Sequence, residues 1–255
     1  MNTKTVFSTK AEKYAKYRWD YASNAIKEII DVAQLSTNSC IADIGAGTGI
    51  LTKHFIGKAQ RIYAIEPNTE MRQILEYELG ATPSVSVIDG SAEVTKLPQE
   101  SVNLITVAQS IHWFEPEPAR KEMRRILKTN GWLAILRNYG TDKLNKLVSG
   151  LMTEEYGANF STTIEKPKEK PIRFYYRNDS FQKMIYPFQF QQDWEGFIGA
   201  ITSASFMPNE NHPFFNKLED EAKKIFSEYS DNGNLNGMVN VQGETELFIG
   251  QPSNS

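Results

Sequence analysis

The chain of 255 residues holds a single cysteine, Cys40. No intrachain disulfide can form, which fits a reducing compartment. Cys40 sits in an apolar run and reads as a small buried hydrophobe. There are only three histidines, and none stands in a Cys/His cluster, so no metal site is expected. No window approaches the roughly 20 apolar residues of a membrane-spanning helix. The opening MNTKTVFSTKAEKYAKYRWD is polar and lacks the apolar core of a secretory signal, so the expectation is a cytoplasmic protein away from membranes. An excess of one charge is missing too. With 28 basic and 31 acidic residues, the formal net charge is −3. Dedicated nucleic-acid binders need clustered Lys and Arg, so no nucleic-acid partner is expected. Neither a P-loop nor a G-x-S-x-G pattern occurs.

What is present is an alternation of short apolar runs and helical patterns. Strands are expected over Cys40–Ile44, Arg61–Glu66, Val85–Ile88, Val102–Ala108 and Trp132–Leu136. Helices are expected over Tyr21–Val32, around Met71–Leu79, and over Pro118–Leu127. Continuous apolar strands separated by helices imply a parallel sheet with crossover connections, hence an open α/β fold. From about Gly140 the rhythm changes. A helix is expected over Thr141–Gly157, a polar loop over Ser161–Pro171, and a strand over Met184–Phe190. A further helix is capped by Asp193, another starts near Pro213, and a last strand covers Met238–Ile249. That last strand is expected to run antiparallel. Ligands of open α/β sheets bind beyond the carboxyl ends of the strands, where strand order reverses.

The residues at those ends are distinctive. Asp43-Ile44-Gly45-Ala46-Gly47-Thr48-Gly49 follows the first strand. This is G-x-G-x-G, with Ile50 where the dinucleotide fingerprint needs a third glycine. A carboxylate at Asp43 would repel a pyrophosphate but attract an ammonium or sulfonium. Glu66 closes the second strand, where an acid can take both hydroxyls of a ribose. Pro67 then fits the start of the next helix. Asp89-Gly90-Ser91-Ala92-Glu93 follows the third strand and suits an adenine edge. Gln109-Ser110-Ile111-His112-Trp113-Phe114 follows the fourth and is expected near the reacting centre. His54 and His212 show no evident partner in the sequence.

Together these motifs resemble the class I S-adenosylmethionine-dependent methyltransferases. DIGAGTGILT resembles the family's glycine-rich first motif, and YAIEPNTEM its second. AQSIHWFEPEPARKEMRRILKTNGWLAI resembles the subgroup acting on small molecules, which includes trans-aconitate and juvenile hormone acid methyltransferases. FSTKAEKYAKYR is similar to that subgroup's lead segment, although Arg18 is followed by Trp19 where Arg-Pro is common. SASFMP and GETELFIG resemble its C-terminal half.

The resemblance implies a Rossmann-like open sheet of seven strands, mostly parallel with an antiparallel C-terminal strand, plus a helical cap insertion. It divides the chain into N-terminal lid helices (1–35), a cofactor-binding core (36–139), a cap insertion (140–210) and a final helix and strand (211–255). The implied cofactor is S-adenosyl-L-methionine. Gly45, Gly47, Thr48 and Gly49 would line its methionine moiety, with Asp43 near the ammonium. Glu66 would hold the ribose, with Pro67 beside it. Met71, Ser91, Ala92 and Glu93 would meet the adenine, and Gln109 the sulfonium. Tyr14 and Arg18 would form part of the lid. The acceptor would be a small molecule between the fourth strand's end and the insertion, against His112, Trp113 and Arg137, with Phe160, Tyr175 and Phe206 as apolar walls. A carboxylate acceptor needs no base; a hydroxyl does, and His112 is its first candidate. Gln109 and His112 are thus the expected catalytic residues, in a monomer or homodimer. The competing readings are an RNA methyltransferase, which would share the cofactor site, and an NAD-dependent oxidoreductase on a related sheet.

Overall fold

The computed structural model describes residues 3–151, 170–176, 180–204, 207–208 and 210–252, with side chains from Lys10 onward. Its elements are α1 (Thr3–Tyr17), α2 (Ser23–Val32), β1 (Cys40–Ile44), β2 (Arg61–Ile65), α3 (Thr69–Leu79), β3 (Val85–Ile88), β4 (Val102–Ala108), α4 (Pro116–Ile126), β5 (Leu127–Gly140), α5 (Lys143–Gly150), β6 (Phe181–Gln192), α6 (Trp194–Thr202), α7 (Phe215–Tyr229) and β7 (Val239–Gly250). They build a seven-stranded sheet in the order β3-β2-β1-β4-β5-β7-β6, with β7 antiparallel. β1 pairs in parallel with β2 on one side and β4 on the other. Strand order therefore reverses at β1/β4.

The chain forms two compact units. One comprises Asp20–Asn138, Glu165–Tyr186 and Thr245–Ser255, the other Met1–Trp19, Tyr139–Ile164 and Pro187–Glu244. In the first, alternation along the strands feeds two cores. Ala42 and Ile44 of β1, Ile105 and Val107 of β4, and Leu133 and Ile135 of β5 pack with Ala119, Met123 and Ile126 of α4. Ile41, Leu104, Ala134 and Leu136 belong to a second cluster, with Ile26 and Ile29 of α2 and Leu75 of α3. The other unit has its own core, in which Phe197 and Ile201 of α6 meet Leu218, Ala222 and Phe226 of α7.

Element boundaries depart from the sequence pattern where hydrogen bonds, not apolar residues, decide them. α2 begins at Ser23 and not Tyr21, because the Ala22 N–H donates to Thr245 Oγ1 at 2.9 Å. α3 begins at Thr69, because Asn68 caps it by accepting from the Glu70 and Met71 N–H groups at 3.0 Å. Pro67 thus precedes the cap and does not open the helix. β5 extends on both sides of Trp132–Leu136, through a register shift and Asn130 at φ 63°. Asp193 caps α6 as expected, accepting from the Gly196 N–H at 2.8 Å. α5 covers Lys143–Gly150 of the expected Thr141–Gly157 helix; residues 152–157 lie outside the described residues. So do Phe160, Phe206 and most of the Ser161–Pro171 loop. Cys40 is half-buried at the rim of a core and not fully enclosed. Tyr175, expected as a pocket wall, is buried in the sheet unit's core. Among the described residues no helix is long and apolar enough to cross a membrane.

Candidate cofactor-binding site

The strand reversal brings the loop after β1 beside the loop after β4. The Gly45 and Ala46 N–H groups donate to the Ile65 carbonyl at 2.9 and 3.1 Å, laying the glycine loop over the end of β2. Gly45 has φ 70°, and a Cβ built there would stand 2.6 Å from Ser110 Oγ. Two demands, positive φ and close approach, therefore exclude any side chain. Gly45→Ala is expected to destabilise the fold by about 1–3 kcal/mol, read as a lowered melting temperature; an unchanged midpoint would refute the close approach. Ser110, placed by the sequence near the reacting centre without a role of its own, is buried and donates to the Ile44 carbonyl at 3.1 Å. Beyond the loop the chain makes a short 3-10 turn, Thr52–Phe55.

Two carboxylates flank this loop. Asp43 is buried, and its oxygens accept from the Thr52 hydroxyl at 2.6 Å and the Thr106 hydroxyl at 2.9 Å. Burial pushes its carboxyl up to about 6 against those two hydrogen bonds, and the Glu66 charge adds to the rise. Asp43 is therefore turned onto threonines of the turn and of β4. Glu66 follows β2 and accepts from the Gly47 N–H at 2.8 Å with one oxygen and from the Asn68 N–H at 2.9 Å with the other. Burial raises its carboxyl too, opposed by those amides and by Arg72. Between them, Thr48 Oγ1 is buried with no hydrogen-bond partner.

The remaining expected contacts are spread around these groups. Met71 is half-buried on α3. Arg72, also missed, donates to the Glu66 carbonyl at 2.8 Å and pairs with Asp89 at 3.3 Å, tying α3 to the loop after β3. In that loop Ser91 turns the chain through bonds with Val94, and Ala92 is buried. The Glu93 carboxylate accepts from the Glu115 N–H at 2.9 Å, at the head of α4. Glu122 of α4 closes the loop's far end by accepting from the Thr95 N–H and hydroxyl. Burial opposes its charge, yet Arg125 and Thr95 hold its carboxyl at about 2.

After β4, Gln109 adopts φ 55°. A glutamine held there costs about 1–2 kcal/mol, and such strain gathers at functional sites. Its Nε2 donates to the Asn138 carbonyl at 3.1 Å. His112 and Trp113 follow in a 3-10 turn with ring centroids 5.1 Å apart; Trp113 is 40% exposed. Arg137 is half-buried in β5. Tyr14 and Arg18 belong to the other unit, where the Arg18 guanidinium lies 5.1 Å from the Tyr14 ring centre. Trp19 there packs edge-on against Phe188 and Phe190. Both histidines without an evident partner have one. His54 Nε2 is 2.7 Å from Asp20 Oδ1, and His212 Nδ1 accepts from the Phe214 N–H at 3.2 Å.

A methyltransferase domain family matches residues 42–135, from within β1 to within β5. Over these residues the chain is similar to a methyltransferase domain. Over 133 residues, 52% of each chain, the sequence is 35% identical to an uncharacterized methyltransferase of Schizosaccharomyces pombe. Over 138 residues, 54% of each chain, it is 30% identical to an uncharacterized methyltransferase of Mycobacterium tuberculosis. The chain spans about half the length of the curated relatives it matches. The fold is that of a proposed type II methyltransferase from Anaeromyxobacter dehalogenans, with a TM-score of 0.66, 15% identity, and coverage of 93% of this chain and 100% of that one.

A methyltransferase domain of this kind would take S-adenosyl-L-methionine, and the residues present fit it. Thr48 offers a buried hydroxyl lacking a partner. Asp43 and Glu66 form a buried acidic pair that suits a cation and would repel a pyrophosphate.

Proposed function

We propose that this chain transfers a methyl group from S-adenosyl-L-methionine to a small-molecule acceptor. The observation carrying this reading is the acidic pair: two buried carboxylates, each raised by burial, with the Glu66 charge raising Asp43 further. A cationic ligand relieves that mutual repulsion. When bound, the cofactor supplies a methyl group already activated on a sulfonium.

The protein's task is then alignment and exclusion of water. Gly45, Gly47, Gly49 and Thr48 line the methionine part, and Asp43 acts from beneath them through its charge. Glu66 holds the ribose diol with the lone pairs its two amide bonds leave over. Pro67, Met71, Ser91, Ala92 and Glu93 surround the adenine, and Gln109 faces the sulfur. His112, Trp113 and Arg137 receive the acceptor. His112 takes the proton if the acceptor is a hydroxyl and only positions it if the acceptor is a carboxylate.

The small-molecule class rests on the stretch from Ala108 to Ile135, which resembles the trans-aconitate and juvenile hormone acid methyltransferases. The net charge of −3 supports it, because a polyanionic acceptor calls for clustered cations. Calorimetry should show S-adenosylmethionine binding, and absence of binding would overturn the reading. A cell extract split into metabolite and RNA fractions, incubated with methyl-labelled cofactor, should gain label among the metabolites. Label confined to RNA would replace the acceptor class.

A further inference from the structure

Asp20 is the residue at which the chain, having left α1 at Tyr17, enters the sheet unit. Its carboxylate meets His54 Nε2 at 2.7 Å with one oxygen and Lys53 Nζ at 2.9 Å with the other. The first oxygen also accepts from the Tyr21 N–H at 2.8 Å. Lys53 and His54 belong to the turn that closes the glycine loop. The Lys53 N–H donates to the Gly49 carbonyl at 3.1 Å, and neighbouring Thr52 donates to Asp43.

The backbone around Asp20 is held from the opposite side. Its carbonyl accepts from Asn138 Nδ2 at 3.1 Å, and the Asn138 side-chain oxygen accepts from the Thr245 hydroxyl at 2.7 Å. The Asn138 carbonyl in turn accepts from Gln109, the strained residue after β4. One aspartate thus joins both walls of the strand reversal, although it lies outside every motif that identifies the domain.

We propose that Asp20 is a positioning residue for the cofactor, fixing the turn after the glycine loop through Lys53 and His54. This rests on the cofactor reading above. Burial works against the Asp20 charge, yet the His54 and Lys53 hydrogen bonds hold its carboxyl at about 2. The charged groups meeting at this point are Asp20, Lys53 and His54, with Asp43 behind Thr52. Half-exposed ion pairs add little to global stability, so a staple for the fold alone would be a poor use of three donors on one carboxylate.

The test is S-adenosylmethionine affinity by calorimetry between pH 5.5 and 8.5, for wild type, Asp20→Asn, His54→Gln and the double variant, with melting temperatures alongside. Asp20→Asn is expected to weaken binding about fivefold at pH 6 with little change in melting. His54→Gln should weaken it about threefold, because the Asp20 carboxylate loses the ring nitrogen that holds one of its oxygens. The double variant should be no worse than Asp20→Asn, since the two residues act as one unit. Affinity unchanged in Asp20→Asn, or effects that simply add, would overturn the proposal. A wild type that binds no cofactor would instead overturn the methyltransferase reading.

Discussion

Replacing Glu66 with alanine is expected to weaken S-adenosylmethionine binding by about 100-fold, because the ribose diol would lose two charge-assisted hydrogen bonds worth about 3 kcal/mol together. The same carboxylate holds the Gly47 N–H of the glycine loop and the Asn68 N–H at the head of α3. Alanine releases both and also removes the acceptor offered to the ribose. Glu66→Gln is the informative companion. Its single side-chain carbonyl keeps one amide and loses the other, so it should fall between wild type and alanine. Calorimetry decides. If alanine binds as tightly as wild type, Glu66 serves only the loop's fold.

Asp43→Asn should move stability and binding in opposite directions. A carboxyl raised from 3.8 to about 6 costs the fold about 3 kcal/mol at pH 7. The sign follows from the raised value. The folded state takes up the proton more readily, so this residue's contribution favours folding below about pH 4. That contribution is lost as pH climbs through 4 to 6. The Thr52 and Thr106 hydroxyls can accept from an amide as well as donate. The unliganded variant is therefore expected to melt higher than wild type at pH 7 and to approach it near pH 4. Cofactor affinity should drop, because half of the acidic pair is gone. In the wild type, affinity for the cationic cofactor should fall as pH drops below 6. S-adenosylhomocysteine, which keeps the ammonium assigned to Asp43 and loses only the sulfonium charge, should feel much of the same fall. Affinity that does not change as pH drops through 6 would show that Asp43 does not read the ligand's positive charge.

The sheet was legible because its parallel strands are buried on both faces and read as unbroken apolar runs, as in CIADI and VNLITVA. The glycine loop and the two acids were legible because they stand directly at strand ends. What escaped depends on pairs far apart in the chain. Nothing local marks Ser110 as the neighbour that forbids a side chain at Gly45. His54 had no visible partner because Asp20 lies in a different segment. The carboxylate of Asp43 was expected to face a ligand, whereas the hydroxyls that occupy it come from the turn at Thr52 and from β4 at Thr106. Pro67 and Asn68 both carry helix-start signals. The side-chain acceptor prevailed because it satisfies two N–H groups, while proline satisfies none. The 140–210 boundary was set by a change of rhythm, and rhythm does not reveal that β6 pairs with a strand from the chain's far end.

That last pairing bears on how the protein is made. β7 lies between β5 and β6 in the sheet, yet it leaves the ribosome after both. Until it arrives, β5 presents a bare edge and β6 has no neighbour to pair with. Strands β1 to β4, with the glycine loop and both acids, can assemble well before then from contacts already synthesised. Nascent chains should thus pass through a stage in which the cofactor-binding end is formed and one sheet edge is still open. Open edges invite pairing with other chains. The cell's exposure to misassembly of this protein is set by the wait for Val239–Gly250.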